Sequence, residues 1–543
     1  MARIKNKFEK IPAMDYYYLF LLMFSVVICS CSNSVPDGPP FLEESFFADS
    51  VIYERNIKEP TIKSFSFLQH ENKKLNYDIP CEIHNDSMIV CFARNFLGNF
   101  ELIASVNFVG DNIVLSNDER IDSEKRAVNF EKDVVLMVNF GRKRKKYIVK
   151  LYPYTGLPYI FIETIDGKEI LDEETLRDAD IYIVEDPDAP ILGKTRSGSV
   201  VGHGNSTWKL PKKPYSLKFE KKESLLSFPP SRSWLLLANH YDSTMLRNAI
   251  ASYISSLSNI SYTPRNCYVE LVLNGKHKGT YQLFEKIKVS KSRVNIGKED
   301  FLLEVDNHPR DKDVYFSLSN LPRKVKVHSP DVIKGDENYN YIKNTLEKID
   351  NVLFSNNFLD ESGGYRDFID IESVVEWYVV TEITKNASSR ANWYMSYEKF
   401  GRLKFGPLWD YDLAFGNSLW GTEPNEVPGF WLNTLPWFER FLQDPIFVQK
   451  IKERFSFFYS RKNDILKEID EKSTFLKVSV FYNNRLWNVF NCDSCTKKEV
   501  SELYDIHVSK MKDWLDSRFE WLKESMRFEP SPRTLEILRV NPQ

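Results

Sequence analysis

The spacing of apolar and polar positions changes along the chain, and the changes divide it. Arg3, Lys5, Lys7 and Lys10 open the sequence, and an apolar run follows from about Tyr16 to Ile28. That run is short for a membrane span and follows a basic start, which predicts a secretory signal over 1–30. From about Pro60 to Tyr152 the spacing is that of strands. Phe65 and Phe67 alternate with polar neighbours, and Met88 to Phe92 is a short apolar run. Val134–Phe140 and Tyr147–Leu151 flank a basic tip at 141–146, which reads as a solvated hairpin end. Short strands with turns between them predict a β-sandwich of immunoglobulin type over 59–152.

After Pro153 the texture is mixed. Strand-like stretches fall at 159–164, 181–184, 215–219, 268–273, 280–284, 301–304 and 325–328. From about Tyr339 apolar residues recur at three-to-four spacing. This predicts helices over 340–354, 371–384, 445–459 and 500–525. The body over 156–528 is therefore α+β, β-rich first and α-helical later.

Composition narrows the picture. Of 543 residues, 73 Lys and Arg stand against 76 Asp and Glu, a net charge of −3. A nucleic-acid binder working through a net positive field is not favoured, and no nucleic-acid partner is expected. Ile28-Cys29-Ser30-Cys31 resembles a bacterial lipobox with Cys31 as the lipidated residue. An uncleaved signal anchor is the other reading. Small, polar and Pro-rich residues follow, as a tether over 31–58 requires. A lipid-anchored chain meets its membrane without spanning it and lies where disulfides persist. Cys81 and Cys91 sit on neighbouring strands, as a pair or as two buried thiols. Cys492-Asp493-Ser494-Cys495 has no second Cys or His pair at zinc spacing, so in an oxidising compartment it reads as a loop disulfide, with a free dithiol as the other reading. Cys267 is left as a single thiol.

Several segments carry chemistry. His203-Gly204-Asn205-Ser206-Thr207-Trp208 leads into Lys212-Lys213-Pro214-Tyr215-Ser216-Leu217-Lys218-Phe219. Small residues followed by lysines can cradle phosphates, and they also make a common turn. Leu237-Ala238-Asn239, Asp242 and Leu246-Arg247-Asn248 come next, with Asp242 or Ser243 as the expected cap of a helix. Asn274-Gly275 between apolar strands marks a hairpin that leads into Glu285. Last is Trp409-Asp410-Tyr411-Asp412-Leu413-Ala414-Phe415-Gly416-Asn417. Two carboxylates two apart suit a divalent cation, or one caps a helix while the other pairs with a base.

In this order the segments resemble the spore coat protein H (CotH) kinase-like family, from about Leu157 to Phe528. The lipobox and sandwich resemble the build of Bacteroidetes-type surface lipoproteins. The resemblance implies an atypical, bilobal protein-kinase fold that uses ATP and Mg²⁺ to phosphorylate Ser of protein substrates. It implies that Gly204, Asn205 and Ser206 lie near the phosphates and that Lys218, or its neighbour Lys213, reaches them. Glu285 would orient that lysine, as in ordinary kinases. Asp410 would bind the metal with Asp412 in support. Asn386 would stand in the catalytic segment, and Asn392 is a further candidate metal ligand. Two positions depart from the family pattern: His203 stands where an Arg is usual, and no carboxylate lies between Glu382 and Glu398, where an Asp is usual. The rival expectation is a surface lipoprotein with a weak or inactive kinase fold. It would bind a glycan, peptide or protein, with Trp393, Trp420, Trp431 and Trp437 as candidate groove residues, although helix core is the expected place for most of the four.

Overall fold

Alternation and register, rather than length, decide the N-terminal strands. The computed structural model describes residues 59–94, 100–121, 125–307, 309–310 and 312–526. The expected signal, tether and Cys31 lie outside the described residues. Strands β1 (Thr61–Phe67), β2 (Ile79–His84), β3 (Met88–Ala93), β4 (Glu101–Ile103), β5 (Ser105–Val109), β6 (Asn112–Leu115), β7 (Ala127–Asn129), β8 (Val134–Phe140) and β9 (Lys143–Pro153) come first. Seven of them pair in the order β5-β1-β2-β3-β9-β8-β6, and β4 pairs with β7. Phe65, Phe67, Ile89, Leu136, Val138, Tyr147 and Val149 fill one core from both arms of that sheet. Residues 143–146 belong to β9, so only Gly141 and Arg142 turn the hairpin. Cys81 and Cys91 face each other across β2 and β3 and form a disulfide.

A closed seven-stranded barrel follows. It consists of β10 (Tyr159–Thr164), β11 (Arg177–Val184), β12 (Arg196–Gly202), β13 (Tyr215–Glu223), β14 (Ser231–Leu237), β15 (Asn266–Leu273) and β16 (Lys276–Glu285). Ile160, Ile162, Ile181, Leu217, Trp234, Leu271 and Leu283 point inward. Helix α1 (Arg247–Ser256) lies between β14 and β15 in the chain. Val90, Phe92 and Tyr152 pack on Tyr159, Phe161, Tyr182 and Val272 of the barrel. Arg94 and Tyr154 both bond Asp188 across the same seam. The N-terminal β region and the rest accordingly make one compact unit from residue 60 onward.

The remainder is a five-stranded sheet and six helices. Its elements are β17 (Phe301–Asp306), β18 (Tyr315–Ser317), β19 (Lys324–Ser329), α2 (Glu337–Leu353), α3 (Ile371–Thr384), β20 (Trp393–Tyr397), β21 (Leu403–Phe405), α4 (Pro436–Phe441), α5 (Pro445–Ser460), α6 (Lys462–Trp487) and α7 (Lys497–Ser525). Asp336, Asp370 and Asp444 cap α2, α3 and α5, and Thr496 with Glu499 forms a capping box on α7. From Val374 to Thr384 every residue of α3 is buried, which makes it the central strut. It packs against α1, α5, α7 and β21. Cys492 and Cys495 form a disulfide in the loop between α6 and α7. No helix among the described residues is long and apolar enough to cross a membrane.

Candidate functional site

The Asp-Tyr-Asp segment is held from several directions by its backbone. Asn386 Nδ2 donates to the Asp410 carbonyl at 2.9 Å, and the Tyr411 N–H donates to Asn248 Oδ1 at 2.8 Å. Arg247 Nε donates to the Ala414 carbonyl at 3.0 Å, and Asn417 Nδ2 to the Asp412 carbonyl at 2.8 Å. Arg247 is itself fixed by a buried ion pair with Asp242. Asp242 also accepts from the Arg247 N–H at 2.8 Å, so it serves the start of α1 from upstream. The N-cap position itself is Leu246, not Asp242 or Ser243, because the chain enters α1 already in a helical conformation. The Asn-Asp-Arg-Asn block is thus a clamp on residues 411–414.

Clamping lets Asp410 hold φ +62°, a left-handed conformation that Asp tolerates better than most residues. The Asp410 carboxyl is enclosed on most sides but still reached by solvent. Burial, opposed by a hydrogen bond from Asp412 and helped by the Glu304 charge, pushes it up to about 6. Burial and then the Asp410 and Asp242 charges push Asp412 well above the usual range. The two carboxyls are thus coupled, with Asp412 raised by the charge of Asp410. No group of three or more His, Cys, Asp or Glu among the described residues is arranged to hold a metal ion. Asp410 and Asp412 by themselves offer a partial oxygen donor set, of the kind a Mg²⁺ ion could complete with phosphate and water.

A group of cations gathers around His203. Lys286, just after β16, is solvent-exposed yet crowded, and has no ion pair or hydrogen bond from its ammonium among the described residues. Burial and then the charges of Lys326, Arg310, Lys218 and Arg293 lower its pKa. His203 lies beside Lys286 and Arg310, and its ring stands 6.4 Å from that of Trp409. Trp409, next to Asp410 in the chain, thus lies between the His203 side and the Asp pair. Glu304 on β17, bonded by His328 Nε2 at 2.6 Å, lies on the acidic side.

The expected residues fall in different places. Gly204 has φ +99°, and an added Cβ would stand 2.1 Å from Thr207 Oγ1. Its carbonyl accepts from Arg310 Nη2 at 3.2 Å. Asn205 and Ser206 are exposed beside it. Lys218 is exposed on β13 and adds its charge to the Lys286 cluster. Lys213 is turned away, since its Nζ donates to the Trp208 carbonyl at 2.5 Å and lies over the Trp208 ring. Glu285 does not orient a lysine. It is fully buried and takes Tyr262, Arg265 and Arg293 as partners. Asn386 is buried with both amide atoms engaged, which leaves it a positioning role rather than contact with reactants. Asn392 Oδ1 accepts from the Asn307 N–H at 3.4 Å. Trp393, Trp431 and Trp437 are buried, and of the four candidate groove tryptophans only Trp420 is exposed. Lys286, Arg310, Lys326, Glu304 and the place of Trp409 beside His203 were not assigned from sequence. Lys286 sits beside Glu285 at the end of the Asn274-Gly275 hairpin, whereas Arg310 and Lys326 carry no local pattern.

The charge setting of His203 gives a pH dependence. Burial, Lys286 and Arg310 push its imidazole down to about 3 from an ordinary 6.5. The folded state thus binds no proton there while the unfolded state does. This contribution to stability is full above about pH 6.5 and falls as pH drops toward 3. Thermal unfolding of the ligand-free protein at pH 7 and pH 5 should show a smaller loss for His203→Gln than for the wild type. An equal loss would place His203 in an ordinary solvated setting.

Comparisons with known proteins bear on this geometry. A crystal structure described as a "putative glycoside hydrolase" from Bacteroides thetaiotaomicron covers 52% of this chain and 87% of its own, at 13% identity and a TM-score of 0.18. That score is too low to bear on fold or chemistry. No curated protein matches. A family model described as CotH kinase protein matches residues 200–522, from the end of β12 through most of α7. That span is more than half of the 543 residues and holds the Gly204–Ser206 turn, the clamp, Lys286 and the Asp pair. The chain belongs to the CotH kinase protein family.

Proposed function

We propose that this protein transfers phosphoryl groups from ATP, with Mg²⁺, to Ser of protein substrates outside the cytoplasm. The observation that carries the reading is that a cation cluster around His203 and Lys286 meets the Asp410–Asp412 carboxyls at Trp409, and we read the two as the sides of one cleft. On this reading the barrel and the helical body are the two lobes of an atypical kinase, and the N-terminal β region is immunoglobulin-like. Lys286, Lys218 and Arg310 bind the phosphates, taking the part first assigned to Lys213. Asp410 and Asp412 hold the Mg²⁺, which supplies charge neutralisation on the phosphates. Gly204 keeps its loop close to the strand, and Asn386 with Arg247 fixes Asp410 in place. Two disulfides support an oxidising compartment. A lipid on Cys31 would hold the protein at the bacterial membrane, on the periplasmic or cell-surface side of the outer membrane.

One observation favours a second reading, a kinase fold that binds without turnover. No carboxylate lies from 383 to 397, and Ser388 and Ser389 in that segment are buried. They cannot take a proton from a substrate hydroxyl. A thermal-shift titration with Mg-ATP, paired with γ-phosphate transfer to a mixed protein acceptor, separates the two. Lys286→Met should weaken Mg-ATP binding by roughly tenfold or more, because it removes a charged phosphate partner. An unchanged affinity would remove Lys286 from the site. Binding without transfer would select the second reading.

A further inference from the structure

The cations of the cleft do not end at Lys286. Lys218 on β13 pairs with Ser233 on β14, and Trp234 pairs with Glu285 on β16. That register puts Lys218 and Lys286 on the same outer row, either side of Ser233. From there the row turns outward. Lys288 lies two residues past Lys286, and the charges beside it are Arg293, Lys222, Lys286 and Arg232. Lys222 and Arg232 are exposed on the ends of β13 and β14. None of Lys218, Lys222, Arg232, Lys286 and Lys288 has a carboxylate partner among the described residues. Nearby acids are already committed. Glu223 pairs with Lys194 and Arg196, Glu285 with Arg265 and Arg293, Asp313 with Lys326, and Glu173 with Arg310. Glu220, between Lys218 and Lys222 on β13, offsets one charge and leaves the strip positive.

A strip of five unpaired cations is unusual on a chain whose net charge is −3. Keeping like charges together costs stability, and burial and cationic neighbours push Lys288 down to about 8. Lys218 and Lys286 are enough for one polyphosphate, and Lys222, Arg232 and Lys288 extend the row past them. We infer that this strip is the docking surface for an acidic stretch of the acceptor protein, leading its hydroxyl to the mouth of the cleft. This rests on the phosphotransfer reading for its purpose but not for its existence. The strip is continuous with the cleft, is built from regular strands and faces solvent, which fits an extended anionic peptide.

The test uses the full mature protein and a fluorescent twelve-residue peptide of Asp and Glu around one Ser. Anisotropy should show binding that weakens as salt is raised. Lys222→Glu with Arg232→Glu should weaken it by about tenfold or more. Both residues are exposed, and the thermal shift with Mg-ATP should be unchanged. Lys288→Gln provides a second, milder variant, and its affinity should fall in the same direction. Peptide binding that is absent, salt-independent or equal in these variants overturns the proposal. Stronger capture by phosphatidylglycerol vesicles than by the peptide, lost in the same variants, also overturns it and assigns the strip to a membrane. A protein that binds the peptide but not Mg-ATP would keep the strip and sink the phosphotransfer reading instead.

Discussion

Asp410→Asn should abolish the thermal shift with Mg-ATP and reduce phosphoryl transfer by roughly a hundredfold or more. Asn is the informative replacement. It tolerates φ +62° as Asp does, so the backbone clamp from Asn386, Asn248 and Arg247 survives. What it removes is one negative charge. The same variant should be more heat-stable than the wild type without ligand at pH 7. The sign follows from the raised pKa of about 6. Below the ordinary carboxylate range both states hold the proton and nothing is lost. Between about 4 and 6 the unfolded state ionises first, so rising pH removes stability, and above 6 the loss is complete. Replacement by Asn avoids that loss. Retained Mg-ATP binding in a variant with raised Tm would show that the carboxyl pair is structural strain and not a ligand site.

Arg518→Met should cost about 3–5 kcal/mol, read as a lower denaturation midpoint. Arg518 and Glu382 are both fully buried and paired at 2.9 Å. Arg518 also donates to the carbonyls of Glu382, Val427 and Gly429. Glu382 takes the N–H groups of Trp431 and Leu432. Met would fill much of the volume but leave a buried carboxylate and three carbonyls short of partners. The damage should reach the cleft, because Glu382 lies on the last turn of α3, four residues before Asn386. Lys385, which donates to the carbonyls of Glu426 and Pro428, holds the same loop and would resist its release. A loss below 1 kcal/mol would mean that water replaces the guanidinium freely. Replacing Glu382 by Leu as well should recover part of the stability, since no unpaired charge then remains.

Periodicity revealed the elements whose faces differ in polarity. The helices at 340–354, 371–384, 445–459 and 500–525 and the Asn274-Gly275 hairpin were legible for that reason. Strand β12 was not, because Arg-Ser-Gly-Ser reads as a turn. Gly198 is there for space: a Cβ would meet the Lys218 carbonyl at 2.9 Å in the neighbouring strand. Helix α6 was missed as well. Its buried stripe of Ile465, Ile469, Leu476 and Val480 is thin among lysines and glutamates that pair along its surface. At the site, the Asp pair and Gly204 were visible because their chemistry is local in sequence. The lysine assignment failed at Lys213, since a run of basic residues does not say which one faces a cleft. Arg310 and Lys326 join Lys286 only through tertiary folding. The Leu-Arg-Asn block was recognised as a motif, but its job of gripping residues 411–414 needs atoms to be seen.

The barrel closes by a pairing that the chain makes late. Tyr159–Ile162 run parallel to Glu270–Leu273, with more than a hundred residues between them. Five of the seven strands are translated before either of the two that seal the ring. Until Leu273 emerges, β10 and β14 both present open edges, which can pair with any other strand nearby. Such long-range closure makes assembly slow relative to local hairpins. The side of the cleft that carries Lys218 and Lys286 therefore exists only in the completed chain. A fragment ending before β15 would hold the whole Gly204–Lys218 segment and still lack a cleft to place it in.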